Sequence, residues 1–173
     1  MVGKHFLVQE QAINGTFMGS ARQYTVATTM EPTLYKLLTD ALNNDGVTKD
    51  AIVDRIENNK SSNELSLTLK NYQVQGLSQA IHEKDGALFR VSGPMGRSLG
   101  VDKNGLNVAF AAGTGVLPFM DLIGYLARQT LAIDGIDSES LGADFFLWFN
   151  VRLNSDEAVG DELLSALAQA NTD

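Results

Sequence analysis

Two kinds of hydrophobic pattern follow one another along this chain, and they divide it near Gly100. In the first stretch, residues 23–29 (Gln-Tyr-Thr-Val-Ala-Thr-Thr) are rich in β-branched and aromatic side chains and predict a strand. Pro32 suits the first turn of a helix, where its missing N–H costs nothing. Leu34, Leu37, Leu38 and Leu42 then recur at helical spacing until Asn43-Asn44-Asp45-Gly46 breaks the run. A shorter helix over residues 48–58 has Ile52 and Ile56 on one face, and the polar run 58–63 predicts a surface loop. Residues 64–70 alternate, with Leu65, Leu67 and Leu69 opposite Ser66, Thr68 and Lys70, which predicts a half-buried antiparallel strand. Residues 76–83 can start a short helix with Ser78 in its first turn. Residues 87–91 predict another strand, closed by Ser92-Gly93-Pro94.

Beyond Gly100 the strands become continuously apolar. Residues 106–112 form a nearly continuous run of this kind that leads into Gly113, and a helix over about 116–129 follows it. Residues 144–151 (Asp-Phe-Phe-Leu-Trp-Phe-Asn-Val) make a second apolar strand. Ser155-Asp156-Glu157 has the composition of a helix start, with an N-cap oxygen and acids near the positive end of the dipole. Val159, Leu163, Leu164 and Leu167 supply the buried face of that helix. Strand–helix–strand–helix with apolar strands means a parallel sheet covered on both faces. The expected fold class is therefore α/β plus β: antiparallel barrel material over residues 1–99, with a helical insertion at about 32–58, and doubly wound α/β material over residues 100–173.

Composition narrows the function classes. The 173 residues fit one domain, or two only if both are small or incomplete. Twenty-one acids against 13 bases give a net charge of −8, the wrong sign for a generic nucleic-acid surface. A phosphate ligand must then be held by a few local donors. The sequence has no cysteine, which removes disulfides, thiolate metal sites and cysteine nucleophiles together. His5 and His82 lie far apart and do not suggest a metal site. Residues 108–126 are the most apolar stretch, but Gly113, Gly115, Pro118 and Asp121 interrupt it, so it reads as strand, turn and buried helix rather than a membrane span. No signal peptide is visible at the start, and the chain reads as soluble.

Four local patterns carry candidate chemistry. In Phe110-Ala-Ala-Gly113-Thr114-Gly115-Val-Leu-Pro118, a buried strand runs into two glycines and a helix begins at once. Glycines admit a ligand close to the backbone, and a helix N-terminus offers free N–H groups to a pyrophosphate. The glycines alone would equally serve an ordinary tight turn. In Arg22-Gln-Tyr24-Thr25, the guanidinium can pair with a pyrophosphate, while the tyrosine ring two residues on shares its face and could stack on a flat ligand. In isolation the same residues fit a surface arginine beside a packed tyrosine. The segment running from Lys70 through Gly76-Leu77-Ser78 leads a strand through glycine to a hydroxyl, which is either a phosphate cradle or a capped helix. Ser92-Gly93-Pro94-Met95-Gly96 is a turn at the boundary between the two patterns.

Taken in order, Arg-x-Tyr-Thr, strand-Gly-x-Ser, Gly-Pro-x-Gly and Ala-Ala-Gly-Thr-Gly-x-x-Pro resemble the ferredoxin–NADP reductase superfamily, with the flavour of cytochrome b5 reductase. The resemblance runs from about Ala21 to the end. It implies a partial flavin-binding antiparallel barrel followed by a partial nicotinamide-dinucleotide domain, an FAD cofactor, and NADH or NADPH as reductant. By the same resemblance, Arg22 binds the FAD pyrophosphate, Tyr24 stacks on the isoalloxazine, and Thr25 reaches the flavin edge where hydride arrives. Gly76, Leu77 and Ser78 would hold FAD phosphates, with backbone contacts from Leu69 and Lys70. Gly113, Thr114, Gly115 and Pro118 would form the dinucleotide turn. The implied partners are an electron-acceptor protein or domain such as a heme protein and the remaining parts of a larger reductase. The implied setting is the cytoplasm or the cytoplasmic face of a membrane-associated assembly.

The sequence departs from that family in three places. Gln75 stands where the phosphate motif usually has glycine, with Gly76 one residue later, and Ala112 replaces a usual glycine. Only 21 residues precede Arg22, fewer than a six-stranded barrel needs, and the later strands of a nicotinamide domain have no counterpart. These departures leave two further expectations beside the enzyme. One is a non-catalytic nucleotide-binding or structural subunit derived from such a reductase. The other is a different Rossmann-like nucleotide binder.

Overall fold

The computed structural model describes residues 3–70, 76–97, 99–100, 102, 105–133 and 158–171. It combines a small antiparallel sheet with five helices among those residues. In chain order the elements are β1 (His5–Gln11), β2 (Phe17–Thr25), a 3-10 turn (Thr28–Met30), α1 (Pro32–Leu42), α2 (Lys49–Ser61), α3 (Leu77–Glu83), β3 (Leu88–Met95), a second 3-10 turn (Gly113–Val116), α4 (Leu117–Thr130) and α5 (Asp161–Ala170).

The sheet has the order β2-β1-β3, with β1 antiparallel to both neighbours. Phe6 lies opposite Tyr24, Val8 opposite Arg22 and Val91, and Glu10 opposite Met18 and Phe89. Successive side chains on a strand alternate faces, so Phe6, Val8 and Glu10 share a face with Tyr24 and Arg22. Val8 is 1% exposed, and β1 is the strand through which the sheet meets α3. Lys84, which caps α3, pairs with Glu10 at 2.6 Å. The β1–β2 register slips between Val8 and Glu10, and there the Gln9 side chain donates to the Gly19 carbonyl at 2.8 Å. On the other side, β3 continues through Gly93-Pro94 to Met95 rather than closing at Ser92 as the turn residues predict. Gly93 is required there, because a Cβ would lie 2.7 Å from the Phe6 ring.

The main core is helical. It gathers Leu34, Leu38 and Leu42 of α1, Ile52 of α2, most of α4 and the inner face of α5, with no strand residue among its members. Helix α1 starts at Pro32, as expected, and Glu31 caps it by accepting from the Thr33 and Leu34 amides. The same carboxylate takes Arg55 of α2 in a two-pronged pair, at 2.9 and 2.8 Å. Thr48 caps α2 by accepting from the Ala51 amide. Helix α5 follows Gly160, whose left-handed backbone carries no capping side chain. Instead the Leu163 amide donates to the Tyr35 hydroxyl of α1 at 3.2 Å. Burial pushes that phenol above its ordinary pKa, and the Leu163 amide pulls it the other way.

Several expectations are corrected. Residues 64–70 form no strand: Leu67 and Leu69 are half-buried and Leu65 is exposed, in irregular backbone. Residues 106–112 are also without strand partners among the described residues, and Leu106 and Phe110 are each 92% exposed. An apolar alternation specifies a strand only when another strand satisfies its backbone. The predicted second apolar strand, 144–151, and the helix start at Ser155–Glu157 lie outside the described residues. The buried face of α5 is as expected, with Leu163, Leu164 and Leu167 in the core. Strand β1 has no alternating pattern that predicts it from the sequence. No helix among the described residues is long and apolar enough to cross a membrane.

Candidate functional site

Arg22, Tyr24 and Thr25 occupy the last part of β2. Arg22 and Tyr24 project from one face, and the Arg22 charge acts on the Tyr24 hydroxyl. Partial burial raises the Tyr24 pKa above the usual phenol value, while Arg22 draws it down. Thr25 alternates to the reverse face and sits opposite His5. His5 in turn lies against Gly96, where an added Cβ would come within 2.8 Å of its ring. The pairing of His5 with the Thr25 position was not legible in the sequence, because it depends on register between strands.

Gly76, Leu77 and Ser78 open α3. Gly76 has extended backbone, and no side chain caps the helix, so Ser78 is a first-turn residue rather than the cap. Leu69 and Lys70 belong to the irregular segment before it, Leu69 half-buried and Lys70 exposed. Gln75 lies outside the described residues. The sheet face that carries Arg22 and Tyr24 is the face on which the Glu10–Lys84 pair joins β1 to the end of α3. Arg22, Tyr24 and the C-terminal end of α3 thus share one side of the sheet, with Thr25 on the other and Gly76–Ser78 at the far end of the helix.

Gly113, Thr114 and Gly115 form the 3-10 turn that leads into α4, with Pro118 in the helix's first turn. Gly113 has φ of +53°, which favours glycine outright. Gly115 has neither a positive φ nor any atom within 4 Å of where a Cβ would stand. Ala112 accommodates its methyl in ordinary extended backbone.

The Thr28–Met30 turn is joined to α4 by Asp121, which in the sequence reads as an interruption of an apolar stretch. Asp121, 6% exposed on α4, accepts at Oδ1 from the Thr28 hydroxyl and from the Thr29 amide, both at 2.9 Å. Its Oδ2 and the hydroxyl of Tyr125, one turn later, are buried with no hydrogen-bond partner among the described residues. Arg128 completes the same helix face and donates to the Gly124 carbonyl. Burial lowers the Arg128 pKa, and the charges of Asp121 and Tyr125 act to raise it. Tyr24 is four residues from Thr28, a span of at most about 14 Å of extended chain. Thr114 is seven residues from Asp121, about 10–12 Å of helix. Both motifs thus lie within short reach of one anchor. The only sequence-level signal for it is a single acid inside an otherwise apolar helix.

An open groove of about 540 Å³ runs between α1 and α5, lined by Lys36, Asp40, Glu162 and their neighbours. None of the candidate site residues borders it. No family model matches this chain, and neither a curated protein nor a solved structure matches it.

Proposed function

We propose that this chain is the nucleotide-binding part of an FAD-dependent NAD(P)H oxidoreductase, passing hydride from nicotinamide to flavin and electrons onward to an acceptor protein or domain such as a heme protein. The observation that carries the reading is the shared sheet face of Arg22 and Tyr24, on the side that joins the Gly76–Ser78 helix. A guanidinium and a half-buried aromatic ring on one face, with a helix packed against the same strand, suit a flavin dinucleotide held by a protein of net negative charge. The bare backbone at Gly115 supports a second cradle, since neither its conformation nor its packing requires glycine.

In this reading the bound flavin supplies the two-electron chemistry, and the chain supplies binding and orientation. Arg22 holds the pyrophosphate, Tyr24 stacks on the ring, and Gly76, Leu77 and Ser78, with the backbone of Leu69 and Lys70, hold the remaining phosphate oxygens. Gly113, Thr114, Gly115 and Pro118 receive the nicotinamide dinucleotide. Thr25, the last residue of the strand and on the reverse face from Tyr24, would have to reach the flavin edge around the strand end. The finer fold that goes with this function is a flavin barrel followed by a doubly wound sheet. Its setting is the cytoplasm or the cytoplasmic face of a membrane-associated assembly, with further reductase parts as partners.

One observation favours a second reading, a non-catalytic nucleotide-binding subunit: Thr25 faces away from Tyr24. Titration with FAD separates the possibilities. The protein is expected to bind FAD, and Tyr24→Leu to weaken binding about tenfold through loss of aromatic stacking. Anaerobic addition of NADH or NADPH is then expected to bleach the flavin. Flavin that binds but stays oxidised selects the non-catalytic subunit, and no affinity for FAD overturns both readings.

A further inference from the structure

A buried carboxylate is costly unless its oxygens are satisfied. Asp121 sits at 6% exposure with one oxygen accepting two hydrogen bonds and the other accepting none among the described residues. Leu117, Met120 and Ile123 around it are all buried and apolar, so packing of the α4 core does not itself call for a carboxylate. What the carboxylate does hold is specific. It fixes the Thr28 side chain and the Thr29 backbone, the first ordered turn after the Arg22–Thr25 strand end. It does so from the helix that the Gly113–Gly115 turn begins. Thr29 is further locked by Gly124, where an added Cβ would lie 2.6 Å from its Cγ2.

We propose that Asp121 is a positioning residue: its Oδ1 holds the Thr28–Thr29 turn on α4 and so fixes the Arg22–Thr25 strand end relative to the Gly113–Gly115 turn. The functional consequence rests on the reductase reading, in which those two segments carry the two rings that must meet. The latch itself is a geometric statement and is tested without it.

The absence of cysteine in the sequence allows spin labels to be attached uniquely at Gln23→Cys and Ala112→Cys, both exposed positions on either side of the latch. Pulsed dipolar spectroscopy on the full chain is expected to give one narrow distance distribution. Asp121→Ala is expected to broaden and shift it, and Asp121→Asn, which keeps an acceptor oxygen, to restore most of it. Thr28→Val, which removes one donor and keeps the Thr29 amide bond, is expected to give an intermediate width, and it carries the test if Asp121→Ala fails to fold. A distribution unchanged in Thr28→Val and in folded Asp121→Ala overturns the proposal. Flavin measurements read the consequence separately. With FAD affinity and dithionite reduction retained, the rate of flavin reduction at saturating NADH or NADPH should fall roughly tenfold in Asp121→Ala, as misplaced reacting groups require. Equal losses in FAD affinity and reduction rate would mean a merely structural role and would overturn it. Wild-type protein that binds no flavin sinks the reductase reading, and the label distances still decide the latch.

Discussion

Gly124→Ala is expected to destabilise the protein by about 2–3 kcal/mol, although alanine is the better helix former. In an open helix the exchange would gain about 1 kcal/mol. Here the new methyl would collide with the Thr29 hydroxyl, and would stand 2.6 Å from its Cγ2 and 2.9 Å from its Cβ. Thr29 cannot yield cheaply. It is buried, and its amide is held by Asp121. The clash therefore outweighs the propensity gain. For a chain of this size the loss corresponds to a fall in Tm of about 5–10 °C. A double-mutant cycle with Thr29→Ala checks the cause, because that change removes the two closest atoms and leaves only the Cβ contact. The pair should be less destabilised than the sum of the single variants. Additive effects, or a Gly124→Ala variant as stable as the parent, would contradict the close approach of the turn to α4.

Glu31→Ala is expected to cost about 2 kcal/mol at neutral pH, because one side chain does two jobs. It caps α1 through the Thr33 and Leu34 amides, worth about 1 kcal/mol in typical helices. It also ties α1 to α2 through Arg55, a pair partly screened by solvent and worth about 1 kcal/mol more. The Arg55 hydrogen bond is the main reason its carboxyl is held at about 2, against an ordinary value of 4.5. Burial opposes that shift, and the two amides add to it. The folded pKa is below the unfolded one, so the contribution is full above about pH 4.5 and disappears as pH falls toward 2. Subtracting the Glu31→Ala stability curve from that of the parent should thus give a difference that is flat from pH 7 to about 5 and shrinks below it. A difference that grows on acidification would contradict the pairing. Glu31→Gln, which keeps an acceptor for the cap and loses the charge, is expected to fall between the two.

Helices were the legible part of this fold, and the reasons are local. Pro32 and the Leu34, Leu38, Leu42 spacing specify α1 without reference to anything distant, and the same holds for Leu163, Leu164 and Leu167 in α5. Strands depend on partners, and there local pattern misled. The clean alternation of residues 64–70 and the apolar run 106–112 carry the right composition but are not in the sheet. Strand β1, with only Phe6, Leu7 and Val8 apolar in a row, is its central member. Its place is fixed by β2 and β3 on either side. For the candidate site, the Arg22–Tyr24 pair sharing one face follows from the spacing of two. That Thr25 meets His5 depends on register, and the role of Asp121 depends on a turn ninety-two positions away along the chain, so neither could be read locally.

The division of the interior has a mechanical consequence. All members of the main core come from the helices and the turns beside them, while the sheet buries Val8 apart from that core. The sheet is tied to the main helical core where Ala27 enters it and the Thr28–Met30 turn packs on α4, with Leu99 packed against that core as well. Strain imposed on Tyr24 by anything resting against it would thus travel into the helical half along four residues of backbone, much as a load on a sail reaches the hull through its mast step.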